Sequence, residues 1–205
     1  MANQLKYAFR LTHIDNIQHI MANGLVRASS PLRNENYVPI GDSHVIQIRK
    51  EREFSGHHLS DYLPFYFGPR SPMLYVIQHG FNGVSKVEPE KIVYCIVRIA
   101  DIIENNVDCI FTDGHALSSL TNYYKKNELV NLNSIVKYED VYSTYWNIET
   151  DIDLKRRKEA ELLINGDLPI QYLRGLVVYN KKAKEHLVSI GVAEELIVVM
   201  PGYYF

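Results

Sequence analysis

The chain has 205 residues, 46% of them apolar and 22% charged, which is enough apolar material for one sizeable core and too little length for two ordinary domains. Its formal net charge of -2 excludes attraction to a phosphate backbone by the global field, so such a partner needs a local basic patch. No apolar run is long enough to span a bilayer, and the opening MANQLKYAFR has no apolar signal core; a cytoplasmic chain with no membrane partner is the expectation.

The first element is LKYAFRL, where Leu5, Tyr7, Phe9 and Leu11 alternate with Lys6, Ala8, Arg10 and Thr12. That period of two predicts a strand with one buried and one polar face. In HIDNIQHIMANG the isoleucines recur at helical spacing and Gly24 sits where a helix-ending glycine belongs. Residues 25–58 are rich in Ser, Pro, Asn and Gly; a connection this long reads as a functional loop carrying a short helix near Val45–Arg52. YLPFYF predicts an aromatic strand that turns at Gly68–Pro69 and continues as a helix from about Pro72. KIVYCIVRI and VDCIFTD read as core strands, DVYSTYW and DLKRRKEA as helices, and the last stretch as strand, helix, strand. Without a strict strand–helix rhythm, the expected class is α/β (α+β) with a mixed sheet and surrounding helices.

Cys95 and Cys109 lie in apolar runs and read as buried free thiols rather than a disulfide or zinc framework. His57 and His58 lack any further metal-ligand spacing, so no metal site is expected. There is no GxGxxG and no GxxxxGK[ST], so a bound dinucleotide is not held in a Rossmann or P-loop cradle.

Three residues invite a chemical reading, each with a plainer alternative. Arg10, on the polar side of the first strand, could hold a ribose or phosphate, or could simply be an exposed arginine. Glu161 ends the charged run KRRKEA just before the apolar stretch LLI. It could point into a cleft and stabilise an oxocarbenium-like centre, or pair with Lys155, Arg156, Arg157 or Lys158 on a wet helix face. His115 follows the Asp113–Gly114 turn past an apolar strand, a common place for site residues and also for a capping histidine. Arg49, Arg52, Arg70, Lys125 and Lys126 lie near aromatic residues, among them Tyr123 and Tyr124, as in a single-strand binding groove or on any enzyme surface.

The blocks FRLTHIDNIQHI, NYVPIGDSHVIQIR, DYLPFYFGPRSPMLYVIQHG, FTDGHA and YW…KRRKEAELLI occur in that order. The chain resembles, from about Tyr7 to its last residue, the DarT family of toxins, which transfer ADP-ribose from NAD onto a base of single-stranded DNA. The resemblance implies the ADP-ribosyltransferase fold, a split mixed sheet with NAD in a central cleft. It implies Glu161 as the catalytic glutamate and Arg49 (with Arg52 as the alternative) as the arginine needed for transfer. Phe9, Arg10, Leu11, Thr12, Asn16 and Tyr66 would bind NAD, Leu11 through its backbone. His115, Arg70, Met73 and Lys125 would face the DNA, with His115 also a catalytic proton acceptor. A cognate antitoxin with ADP-ribosyl-hydrolase activity, a macrodomain or similar, is the implied partner. FRLT stands where thymine-directed members read YHIT, and PIGD and LYVIQHG lean the same way, so the resemblance is closer to the guanine-modifying branch. An NAD glycohydrolase and a non-enzymatic nucleic-acid-binding module are the rival readings.

Overall fold

The structure is a computed structural model that describes residues 3–205. In chain order its elements are β1 Tyr7–His13, α1 Ile17–Asn23, α2 Ser43–Glu51, β2 Glu53–Phe54, β3 His57–His58, β4 Tyr62–Tyr66 and α3 Pro72–His79. There follow β5 Ile92–Arg98, α4 Ile99–Glu104, β6 Cys109–Thr112, β7 Tyr123–Lys125, α5 Leu132–Ile135, α6 Tyr138–Val141 and α7 Leu154–Lys158. The last are β8 Glu161–Asn165, β9 Leu173–Val178, α8 Lys181–Ser189 and β10 Ile197–Val199.

Eight strands form one mixed sheet in the order β10-β9-β5-β1-β4-β8-β6-β7. The β9–β10 pair is parallel, and the others are antiparallel. The sheet is continuous in name but nearly divided at its middle, because β1 and β4 share a single register pair, Phe9↔Tyr66. The cause lies in the sequence. Leu11 would pair next with Pro64, but a proline has no N–H to give to a ladder. Arg10 instead donates from Nη1 to the Pro64 carbonyl at 3.1 Å. Ladder directions alternate along a strand; the Lys6 carbonyl turns toward the β5 side, accepting from Ile99. The N–H and C=O of Leu11 therefore face the gap. A split sheet follows from one proline.

Both faces of the sheet are covered. One core packs Ala8, Phe65, Phe67, Val93, Cys95, Phe111 and Leu162; the other packs Phe9, Leu11, Leu74, Ile77, Tyr94 and Tyr204. This corrects the expectation of a polar face on β1: Ala8 is 0% and Thr12 1% exposed. An interior strand with cover on both sides hides its small polar residues too. Both cysteines are buried and free, and burial pushes each thiol up to about 12, so neither is a reactive thiolate.

DVYSTYW is not a helix beyond Val141. A continued helix needs the Val141 carbonyl to accept from residue 145, but Lys158 Nζ donates to that carbonyl at 3.0 Å. Tyr123 and Tyr124 each have one ring face already covered. Tyr123 stacks on Phe54 with centroids 4.3 Å apart, and Tyr124 on Phe111 at 5.0 Å.

The turn after β4 is held by close packing: a Cβ added at Gly68 would come within 2.2 Å of the Val141 carbonyl oxygen. Gly68→Ala is therefore expected to cost about 1–3 kcal/mol, read as a lower denaturation midpoint. An unchanged midpoint would show that the α6 end yields freely.

Candidate active site

Glu161 opens β8 and is 0% exposed. Its Oε1 accepts the Ala116 N–H at 2.9 Å, and its Oε2 accepts Arg49 Nη2 at 2.5 Å. Its own N–H donates to Thr112 Oγ1 at 3.0 Å, while the Thr112 hydroxyl donates to the Gly114 carbonyl at 2.7 Å. The 113–116 turn is thereby seated against the carboxylate. Gly114 belongs there because a Cβ would meet the Arg156 carbonyl at 2.9 Å, the same oxygen that accepts the His115 N–H at 3.0 Å. The charged run before Glu161 is not a wet helix face. Arg156 pairs with Asp113 and Asp153, and Arg157 with Asp140, Asp151 and Asp153.

Arg49 reaches Glu161 from α2, whose start is fixed by the Asp42 carboxylate accepting the His44 N–H at 2.8 Å. Burial opposes the Arg49 charge, but Glu161, with Tyr66 and Tyr123, outweighs it and raises the guanidinium above its usual value, so the residue stays a cation. Its Nη1 is buried without a hydrogen-bond partner. Arg52 is the C-cap of α2 in extended conformation and turns to the Leu117 carbonyl at 3.4 Å. The geometry thus separates the two arginines: Arg49 contacts the carboxylate and Arg52 does not.

In front of this pair lies a cavity of about 440 Å³, within the usual size of a small-molecule site. A smaller lobe of about 150 Å³ adjoins it, and Arg10, Tyr37, Pro39, Ile46, Arg49 and Pro64 line both. Arg10, Arg27, Arg33, Arg49 and Lys50 line the larger lobe, and no carboxylate does. A chain of slight negative charge thus concentrates cations in one cleft, the arrangement that holds a diphosphate. Arg27 Nε is also buried without a hydrogen-bond partner, its nearest carboxylate being Asp167 at 3.9 Å. Glu161 lines neither lobe, whereas its partner Arg49 lines both.

The other expected residues divide. Arg10 and Thr12 line the larger lobe and Leu11, Tyr66 and Met73 the smaller; Tyr66 hydroxyl donates to Met73 Sδ at 3.5 Å. Burial and Glu161 raise the Tyr66 phenol well above its usual value, so it stays a neutral donor. Asn16 lines the cavity, but its amide is spent on Thr12 Oγ1 at 3.0 Å and on both backbone groups of Val38 at 2.9 Å. It positions the 37–39 loop. Phe9 lines neither lobe: its ring is buried edge-on against Tyr94, Tyr142 and Tyr203. Its side chain packs in the same core as Leu11, so any contact of Phe9 with the cofactor would fall to its backbone. Lys125 sits exposed on the edge strand β7, its N–H donating to Glu128 at 2.9 Å; no contact joins it to the cleft.

His115 is half-buried. Burial, Arg49 and Lys155 lower its imidazole below the usual value, against Glu161. Its Nδ1 accepts the Leu117 N–H at 3.4 Å, the outer limit of a hydrogen bond. Three residues escaped sequence reasoning. Glu159, two positions before Glu161, carries a carboxyl pushed up to about 7 by burial and by Glu161; the spacing E-x-E was its only signal. Arg27 and Arg33 lie in the irregular 25–42 segment, where nothing local marks them.

A family model described as "ssDNA thymidine ADP-ribosyltransferase, DarT" matches residues 9–205. The chain belongs to the DarT family. It is a DNA ADP-ribosyltransferase by that membership. It is 33% identical over 191 residues, 87% of this chain and 83% of the relative, to the DNA ADP-ribosyl transferase of Escherichia coli O127:H6 (strain E2348/69 / EPEC). The fold matches that of Thermus sp. 2.9 DarT in complex with ADP-ribosylated ssDNA, with a TM-score of 0.83, 24% identity and 100% and 99% of the two chains covered. A DNA ADP-ribosyl transferase-DNA ADP-ribosyl glycohydrolase fusion protein of Thermosipho africanus (strain H17ap60334) is 28% identical over 189 residues, 91% of this chain and 46% of the fusion. Among the described DarT residues no cluster could hold a metal ion and no helix is long and apolar enough to cross a membrane.

Proposed function

We propose that this DarT chain acts in the cytoplasm and transfers ADP-ribose from NAD to a base of single-stranded DNA, with guanine as the acceptor, as the toxin of a pair whose antitoxin removes the modification. The observation that carries the reading is a buried carboxylate, Glu161, fixed by Arg49 and the Ala116 amide beside a cleft whose larger lobe has five cations and no carboxylate in its lining. The orphaned nitrogens of Arg27 and Arg49 are donors awaiting acceptors, and NAD is rich in them: a diphosphate, two riboses and a carboxamide. Arg10, Arg27, Arg33 and Lys50 suit the diphosphate, and the backbone of Leu11, which faces the gap between β1 and β4, suits the carboxamide.

Glu161 accepts a hydrogen bond from the 2′-hydroxyl of the nicotinamide ribose, drawing Arg49 partly away from it. As the bond from C1′ to the nicotinamide nitrogen breaks, its electron pair leaves with nicotinamide and positive charge grows on the ribose. The carboxylate stabilises that charge more than it stabilises the ground state. A base N–H nitrogen then bonds to C1′ and its proton passes to His115 and on to solvent. A base edge is most easily reached in a single strand, where no duplex need be opened. The antitoxin reading rests on the transferase–glycohydrolase fusion, which joins the two opposed activities in one chain.

As proton acceptor His115 must be neutral. Its lowered imidazole value keeps it so below the usual histidine range, so transfer should hold as pH falls and fail only below about 6.5. His115→Asn should remove that acid limb. A limb centred near 7 that survives the substitution would assign the role to Glu159 instead.

The acceptor base is tested with oligonucleotides holding a single guanine or a single thymine among adenines and cytosines. The site must pair with one edge and leave polar groups unpaired against the other, a difference that can amount to several orders of magnitude. Labelling of the guanine strand alone is expected; labelling of the thymine strand alone overturns guanine and leaves the transferase standing.

A further inference from the structure

Beside the cleft stands a second group of cations that the chemistry above does not use. Lys158, the last residue of α7, is 1% exposed. A buried ammonium ordinarily has a carboxylate partner. Lys158 makes no ion pair among the described residues; Nζ donates to two backbone carbonyls, Pro69 at 3.4 Å and Val141 at 3.0 Å, and lies 5.8 Å from the Trp146 ring centroid. Its third N–H has no protein acceptor among the described residues.

Arg70 adjoins it, following the proline that Lys158 holds. Its backbone is left-handed, at φ +53°, a strained conformation for a residue with a side chain and one that persists only when the surroundings impose it. Two contacts fix it: its N–H donates to the Tyr94 hydroxyl at 3.1 Å, and its guanidinium lies 4.5 Å from the Phe205 ring centroid. Arg70 likewise makes no ion pair among the described residues, and its Nε is buried with no hydrogen-bond partner. Two neighbouring cations, both held rigidly and both without a counter-ion, repel each other. Such an arrangement costs free energy until an anion joins it.

We propose that Arg70 and Lys158 form the subsite for one phosphate of the DNA strand, next to the acceptor nucleotide. This rests on DNA being the acceptor. Arg70 offers forked donors to the phosphate oxygens, and Lys158, three residues before Glu161, supplies fixed positive charge beside it while tying the Arg70 turn to the α6 end. The subsite positions the strand and reads no base. It also makes DNA binding take up a proton. Burial and the adjacent Arg70 lower the Lys158 ammonium to about 8, against a small opposing effect of Glu159. A DNA phosphodiester is a monoanion, and its one negative charge restores the protonated form. At pH 8 about half a proton should be taken up per strand bound.

The test is titration of a single-stranded oligonucleotide into the full chain at pH 8, in two buffers of different ionisation enthalpy. Uptake of about half a proton is expected, and Lys158→Met should abolish it while leaving NAD affinity unchanged. Arg70→Ala should lower the slope of log affinity against log salt by about one. Glu159, the other group near enough to titrate, is controlled by Glu159→Gln, which should keep the uptake. Should Lys158→Met fail to fold, the wild-type chain with methylphosphonates placed one at a time along the strand gives the same answer: a single position should lose both the proton uptake and one unit of slope. Absence of uptake in the wild type, its loss in Glu159→Gln, or indifference to every methylphosphonate would overturn the subsite and leave Lys158 a structural staple. Failure of NAD to label DNA at all would instead sink the transferase reading, and that is measured separately on the same oligonucleotide.

Discussion

Glu161→Gln is expected to lower transfer onto DNA by a factor on the order of 10³ or more with the fold intact. Glutamine keeps an acceptor for the Ala116 N–H, which now meets Oε1 at 2.9 Å, but it removes the negative charge and sets an amide NH2 where Oε2 accepted from Arg49 Nη2. That charge is what the growing cation on C1′ requires, so the loss falls on turnover rather than on NAD affinity. Glu161→Ala is a harsher change. It leaves Arg49, whose side chain is 11% exposed, as a buried cation without its partner, a loss of about 3–5 kcal/mol in such pairs. The alanine variant should therefore be both inactive and measurably less stable, and circular dichroism with a denaturation midpoint separates the two effects. Near wild-type labelling by a folded glutamine variant would remove Glu161 from the chemistry.

Arg49→Lys should reduce transfer by about 10²-fold, whereas Arg52→Ala should stay within about twofold of wild type. The Arg49 guanidinium does two things at once: Nη2 holds Glu161 at 2.5 Å, and the buried Nη1 has no protein partner. A lysine ammonium is a point charge that cannot span both positions with a planar fork. Arg52 points away to the Leu117 carbonyl, and its loss removes one long contact at the surface. Steady-state labelling rates of the two variants decide the matter. Equal losses at both positions, or a larger one at Arg52, would mean that α2 carries its arginines differently when substrate is bound.

Some of this site was legible from the residues alone, and the pattern of success has a physical basis. The charged run meeting an apolar run at Glu161 marks the start of a strand, and a residue at such a boundary can be buried at one end of a sheet. The alternation around Arg10 and Thr12 correctly put both on one side of β1. It failed on the nature of that side, because only the sheet order reveals that β1 is interior. Arg49 and Arg52 are three apart, so helical spacing alone puts them on one face. The helix ends at Glu51 and Arg52 continues in extended conformation, so Arg52 leaves the face from which Arg49 meets Glu161. KRRK reads as a solvated stripe because, besides the nearby Asp151 and Asp153, the partners that bury it are remote in sequence: Asp113 for Arg156, Asp140 for Arg157, and the Pro69 and Val141 carbonyls for Lys158. The cations at Arg27 and Arg33 gather at the cleft through the path of an irregular segment, which leaves no periodic signature. Base choice depends on polar atoms meeting a base edge, and neither composition nor strand pattern encodes that.

The most direct test of the account is nucleoside mass spectrometry on a single-stranded oligonucleotide incubated with NAD and the wild-type chain, with free nicotinamide followed in parallel. The expected result is one ADP-ribose added to a base for each nicotinamide released beyond background, and no such product with Glu161→Gln. Nicotinamide released in step with free ADP-ribose, with the DNA unmodified, would contradict it and make water the acceptor.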